Sequence, residues 1–168
     1  TRTSVYRIVN EMRATRILEL PLDYIHNDSF SKKKLETEIL GPIPESDSPG
    51  RKTRAPSGLP PYLASLYDTP LLNREQEYHL FRKFNYLKCK ASQLRDGLNP
   101  ARAKSVTMEE IEQLYEQAVQ IKNQIVQSNL RLVVSIAKRH VNSTDDFFTL
   151  VSDGNMSLIR AVEKFDYS

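Results

Sequence analysis

The chain has 168 residues, of which 39% are hydrophobic, with 24 Lys+Arg against 21 Asp+Glu. That length gives one ordinary domain with a tail or two small ones. A net charge of +3, spread along the chain, is too weak for a dedicated nucleic-acid glove or a basic membrane anchor. The single cysteine, Cys89, excludes an internal disulfide framework or a multi-cysteine zinc site and points to a reducing compartment. The apolar runs fall far short of a membrane span, and no signal-peptide pattern opens the chain. The first residue is Thr, so the sequence is expected to be part of a longer one.

From the N-terminus, Val5, Ile8, Met12 and Ile17 recur at helical spacing. Pro21 interrupts, and Ser31 is placed to cap a second short helix carrying Leu35, Ile39 and Leu40, ended by Gly41-Pro42. Two such helices make no stable core alone. Residues 1–40 are therefore read as a helical extension, either a partly disordered terminus or a docking segment. Residues 41–58 are rich in Pro and Gly and nearly devoid of apolar side chains; they read as a flexible linker.

The remainder reads as helical throughout. Tyr62 to Tyr67 form one short helix after Pro60-Pro61. Asn73 with Gln76 makes a capping box and opens a long helix with the stripe Tyr78, Phe81, Phe84, Leu87, Ala91, Leu94. Residues 59–96 form one block, ended by Asp96-Gly97-Leu98-Asn99-Pro100. In the connecting block 97–127, Thr107 with Glu110 is a second capping box, and the stripe Ile111, Leu114, Tyr115, Ala118, Ile121, Ile125 follows. It continues through Leu130, Val133, Val134 and Ala137 to about His140, within the final block 128–168. Asn142-Ser143-Thr144 reads as a capped turn, and a last helix runs from about Asp146 to Phe165. No segment alternates with period two. The fold class is all-α, and short connections imply an antiparallel helical bundle.

The last helix has two faces. Phe147, Val151, Gly154, Leu158, Ala161 and Phe165, flanked by Leu150 and Val162, form a core face. Gly154 in mid-helix implies close approach of another backbone. Opposite lie Thr149, Ser152, Asp153, Met156, Ile159, Arg160 and Glu163. Met and Ile among small polar groups suit a partner-helix surface, although scattered exposed apolar residues are also ordinary.

Asn129-Leu130-Arg131-Leu132-Val133-Val134-Ser135-Ile136-Ala137-Lys138-Arg139 and the run from Phe148 to Tyr167 resemble conserved region 2 of primary-type bacterial RNA polymerase sigma factors, the sigma-70 family. Pro61-Tyr62-Leu63 and Leu71 to Glu77 resemble the family's region 1.2. The resemblance implies that the last helix docks on a coiled coil of the clamp of the polymerase's largest subunit. Its matching positions are Thr149, Ser152, Asp153, Asn155 and Ile159, and the stripe adds Met156. The family has Asp where Thr149 stands and Gln where Ser152 stands, which implies weaker or retuned docking. The resemblance also implies a pocket for a flipped promoter base at Leu71, Glu77, Asn129 and Leu132; read as residues alone, the two leucines can equally be core. Tyr62 and Leu63 match positions that touch single-stranded, mainly non-template promoter DNA, and Asp166 matches the edge of the promoter-melting site. The aromatic- and Arg-rich segment that completes that site is expected beyond Ser168, so this piece is expected to bind polymerase without opening promoters efficiently.

His26, His79 and His140 sit in separate segments without partners at ligand spacing, and Cys89 has only Lys88 and Lys90 beside it. Lys32-Lys33-Lys34 reads as a solvated face, and the basic stretch Arg51 to Arg54 can trail on phosphates non-specifically. No phosphate loop, nucleophile elbow or paired carboxylates in a pocket are present. The expectation is a sigma factor in the cytoplasm, associated with the nucleoid through polymerase, with no enzymatic activity, cofactor, metal, membrane or small-molecule substrate. The alternatives are an adaptor or antagonist that occupies the sigma-binding surface without reading promoters, and a plain helical interaction module.

Overall fold

The computed structural model describes residues 2–45, 54–142 and 146–167. They form six α-helices, α1 (Arg2–Leu18), α2 (Glu36–Leu40), α3 (Pro61–Ala64), α4 (Arg74–Asp96), α5 (Ser105–His140) and α6 (Phe147–Lys164). No strand occurs among the described residues, as the lack of period-two patterning predicts. Ser143 and Thr144 of the expected turn, and the middle of the linker, lie outside the described residues.

The apolar stripe over 111–137 forms one continuous helix, α5, of 36 residues. The Asn73 capping box is complete: the Gln76 amide donates to Asn73 Oδ1 at 2.8 Å and the Asn73 amide donates to Gln76 Oε1 at 3.1 Å. Asn73→Ala is expected to cost about 1 kcal/mol, because it removes the acceptor for an otherwise orphaned first-turn donor. Chemical denaturation with unchanged m-value checks it.

Two other expected caps are corrected. α5 begins at Ser105, and the Met108 amide donates to the Lys104 carbonyl at 3.1 Å, so Thr107 lies inside the helix. Burial of Met108 draws the helix start back past the box. Ser31 caps nothing: its hydroxyl donates to the Asp28 carbonyl at the end of a 3₁₀ turn that Asn27 caps, and α2 starts only at Glu36.

Packing partitions the chain differently from composition. One compact unit joins residues 1–41 with 82–121, and the other joins 42–81 with 122–168. In the first, Ala14, Ile17 and Leu22 pack with Ala91, Met108 and Ile111, and Phe84 and Leu87 pack with Ala118. The N-terminal segment thus gains from α4 and α5 the core it lacks alone. Polar ties hold it there: Ile25 N–H donates to Asn85 Oδ1 (2.7 Å), Arg82 to Glu38 (2.7 Å) and Arg95 to the Leu20 carbonyl (2.7 Å). Tyr6 meets Ser105 and Arg13 meets Glu112, the same sequence offset twice, so α1 runs in the direction of α5. The predicted α1 stripe is corrected. Ile17 is buried, but Val5, Ile8 and Met12 are 62%, 56% and 55% exposed, because the helix packs along its Ala14 edge, where a small side chain permits close approach.

The Arg13 guanidinium holds the Glu112 carboxyl below its ordinary range. A depressed acid contributes stability above its unfolded pKa and loses it as pH falls through the folded value. Both side chains are partly exposed, so the contribution is small. Glu112→Gln should be slightly less stable than the parent at pH 7, and the two should converge in acid.

In the second unit Leu63, Val134, Ala137 and Val151 form the core, lined by Leu59, Leu66, Tyr67, Phe147 and Leu150. α6 runs antiparallel to the second half of α5, as two contacts in opposite order require: Lys122 with Glu163 at 2.9 Å and Val133 beside Gly154. The expected core face of α6 holds for Val151 and Val162 and fails at its end, where Ala161 is exposed and Phe165 is 52% exposed. After Lys164 the chain leaves the helix, and Tyr167 takes the buried place. Its ring stacks on Phe81 at 6.4 Å and meets Tyr78 edge-on at 5.6 Å.

Candidate functional site

Asp146 starts α6. Its Oδ1 accepts from the Phe148 amide at 3.1 Å, and its Oδ2 accepts from the Thr149 hydroxyl at 2.9 Å. An acid here also suits the positive end of the helix dipole. On the far side Gly154 lets Val133 approach: a Cβ there would lie 2.5 Å from Val133 Cγ1.

The face turned away from α5 is open. Thr149, Ser152 and Asp153 are exposed, Met156 is 51% exposed and Ile159 37%. The stripe separated by helical projection is therefore accessible. Asn155 differs: it is half-buried, its Oδ1 is inaccessible, and no donor among the described residues reaches it. Phe148, 49% exposed, joins this face and was missed. Its spacing to Ser152, Asn155 and Ile159 is that of one helix edge, a signal hidden when α6 is divided into only two stripes. Asp146 and Asp153 stand in the N-terminal half of α6, and Arg160, Lys164 and Glu163, the last paired with Lys122 at 2.9 Å, stand near the other end.

The second set of candidates also falls in this unit. Tyr62 is 60% exposed, while its neighbour Leu63 is 4% exposed and sits in the core with Val134 and Val151. Leu71 and Leu132 are 51% and 49% exposed, so neither leucine is core. Asn129 is half-buried and its Nδ2 donates to the Ile125 carbonyl at 2.9 Å, within its own helix. The stretch leading to Leu71 is held on α5. Buried Arg131 lies 5.8 Å from the Tyr67 ring centroid and donates to the Thr69 carbonyl at 3.4 Å, and the Tyr67 hydroxyl meets Ser135 Oγ at 3.0 Å. Glu77, half-buried, and Asp166, exposed, each adjoin a ring of the aromatic cluster, Tyr78 and Tyr167. Arg131 and the ring cluster are contributions that periodicity does not reveal, since both act across the sequence.

This geometry leaves one mixed apolar and polar face of α6 open and, separately, a group of exposed apolar and amide side chains. Among the described residues no cluster of His, Cys, Asp and Glu could hold a metal ion, and no helix is long and apolar enough to cross a membrane.

The chain is similar to known sigma factors. Residues 125–168 match the family described as sigma-70 region 2. The chain is 38% identical over 106 residues to the RNA polymerase principal sigma factor HrdD of Streptomyces viridifaciens, covering 63% of this chain and 31% of that protein. The HrdD protein of Streptomyces griseus is 36% identical over 107 residues, 64% of this chain and 32% of its own. The RNA polymerase sigma-C factor of a Nostoc strain is 46% identical over 61 residues, 36% of this chain and 15% of its own. The chain thus spans about a third or less of the curated relatives it matches. No solved structure matches it. The resemblance to primary-type sigma-70 factors is borne out by these matches.

Proposed function

We propose, from the premise that residues 125–168 are a sigma-70 region 2, that the chain acts as part of a sigma factor that joins bacterial core RNA polymerase and helps direct it to promoters, without catalysing a reaction itself. The open face of α6 docks on the clamp coiled coil of the largest subunit through Thr149, Ser152, Asp153, Asn155, Met156 and Ile159, with Phe148 at its edge. The observation that carries this is the open face of α6, on which Phe148, Met156 and Ile159 are exposed beside Thr149, Ser152 and Asp153.

Promoter DNA, mainly its non-template single strand, meets Tyr62, Leu71, Glu77, Asn129, Leu132 and Asp166. The exposed leucines supply apolar walls, and Asn129 keeps its Oδ1 for a base edge. Leu63, buried in the core with Val134 and Val151, anchors the short helix that presents Tyr62. The site of action is the cytoplasm, on the nucleoid through polymerase.

Titration of the chain against the isolated clamp coiled coil of a bacterial polymerase tests the docking. Binding in the micromolar range or tighter is expected. A folded, helical chain that does not bind overturns it and favours a fold-level likeness only.

A further inference from the structure

We propose that the last turn of α5, with the stretch of chain that Lys138 holds against it, is a phosphate track, along which the backbone of single-stranded promoter DNA continues from Asn129 and Leu132. This inference rests on the promoter reading above and adds to it the groups that meet phosphate. Val133, Val134 and Ala137 turn one side of α5 into the core. On the other side Leu132 and Ile136 are exposed, and Arg139 and His140, also exposed, follow Ile136 by three and four residues. Residues three and four apart share a helix face, so Asn129, Leu132, Ile136 and Arg139 lie along one open edge. From Asn129 to Arg139 that edge rises about 15 Å.

The cations at its end come from two stretches far apart in sequence. Arg139 Nε donates back to the Ser135 carbonyl at 3.4 Å, which leaves the remaining donors of the guanidinium fork for an anion. Lys138 Nζ donates to the Ser57 carbonyl and so pins the chain entering α3 to this end of α5. Arg54, exposed, stands three residues before Ser57, within about 11 Å of it along the chain. Among the described residues no carboxylate is paired with Arg54, Lys138 or Arg139. Asp146, exposed beyond the turn that follows α5, already accepts from the Phe148 amide and the Thr149 hydroxyl. Cations in the last turn of a helix also answer its dipole. That accounts for Lys138 and Arg139, but not for a tie that brings Arg54 to the same end. A single strand matches the whole edge: its bases meet Leu132 and Ile136, and its phosphates meet the cations.

The experiment is a titration of the full chain with a fluorescent single-stranded oligonucleotide of mixed sequence, about 16 nucleotides long, over a range of salt. The parent should bind, with affinity falling as salt rises. Arg139→Gln and Arg54→Gln should each weaken binding about threefold to fivefold near 50 mM salt and flatten the salt slope by about 0.7, the share of one phosphate contact. Helicity by circular dichroism should not change. The loss should be equal for promoter and scrambled strands, because phosphate contacts carry no sequence information. Arg139→Lys should keep most of the affinity and the slope. Arg16→Gln, which removes an exposed cation from α1, should alter neither. Lys138→Gln frees Ser57, so Arg54→Gln should cost less in that background than in the parent. If Arg139→Gln and Arg54→Gln bind as the parent does while Leu132→Ala binds more weakly, the phosphate track is overturned and the promoter reading stands. If a glutamate polymer of equal charge displaces the strand as readily as unlabelled DNA does, the surface is a general anion site and its assignment to nucleic acid is overturned. If the parent binds no strand, or none of these changes weakens binding, the promoter reading falls and the inference with it.

Discussion

Gly154→Ala is expected to destabilise the pairing of α5 and α6 by about 1–2 kcal/mol, although the same change on an open helix face stabilises by about 1 kcal/mol. The added Cβ would sit 2.5 Å from Val133 Cγ1, well inside the usual carbon–carbon separation of about 3.5–4 Å. Val133 cannot swing away. It is β-branched, with one strongly preferred helical rotamer, and it is 8% exposed. The overlap must be relieved by moving the two helices apart, at an overpacking cost of roughly 1–3 kcal/mol. Gly154→Val should be worse.

Val133→Ala, harmful alone because it leaves a cavity, should soften the effect of Gly154→Ala. Denaturant unfolding of the two single variants and the double variant gives the coupling, expected at about 1 kcal/mol or more. A Gly154→Ala chain more stable than the parent would show that the helices approach less closely than 2.5 Å implies.

The same contact shows where sequence patterning reaches and where it stops. A mid-helix glycine on the apolar stripe announced close approach, but nothing local named Val133 as the neighbour. α5 was legible because a sustained 3.6-residue period needs no knowledge of partners, and the Asn73–Gln76 box was legible because both halves lie within one turn. The Thr107 box has the same local chemistry and fails, because burial of Met108 moved the helix start. In α1 the apolar residues were visible but their cover was not: Ile17 faces α4 and α5, while Val5, Ile8 and Met12 do not.

The candidate site divides the same way. The open face of α6 follows from projecting one helix, so Thr149, Ser152, Asp153, Met156 and Ile159 came out together. The inward turn of Leu63 beside outward Tyr62 lies in a helix of 4 residues, too short for a period. The Thr149–Asp146 contact and the buried Asn155 Oδ1 depend on side-chain geometry, and Tyr167 on Phe81 depends on a chain that doubles back.

Asp153→Ala combined with Asn155→Ala should weaken binding to the clamp coiled coil by about 2–4 kcal/mol, as central polar anchors of an interface do. The more telling result concerns the free chain. Asn155 keeps an acceptor that is buried and unmet among the described residues, and a mid-helix Asn is also a poorer helix former than Ala. Asn155→Ala alone removes both penalties. Its thermal midpoint should therefore rise while its affinity falls, with the gain on the order of 1 kcal/mol. A residue retained only for folding would behave in the opposite way, losing stability on truncation and losing affinity only as far as the fold is lost. Asp153 is exposed and its side chain lies on the open edge, so Asp153→Ala should leave stability nearly unchanged and act on binding alone. Paired melting curves and titrations separate these cases. A lower melting point for Asn155→Ala with unaltered binding would assign Asn155 to the core and remove it from the docking face.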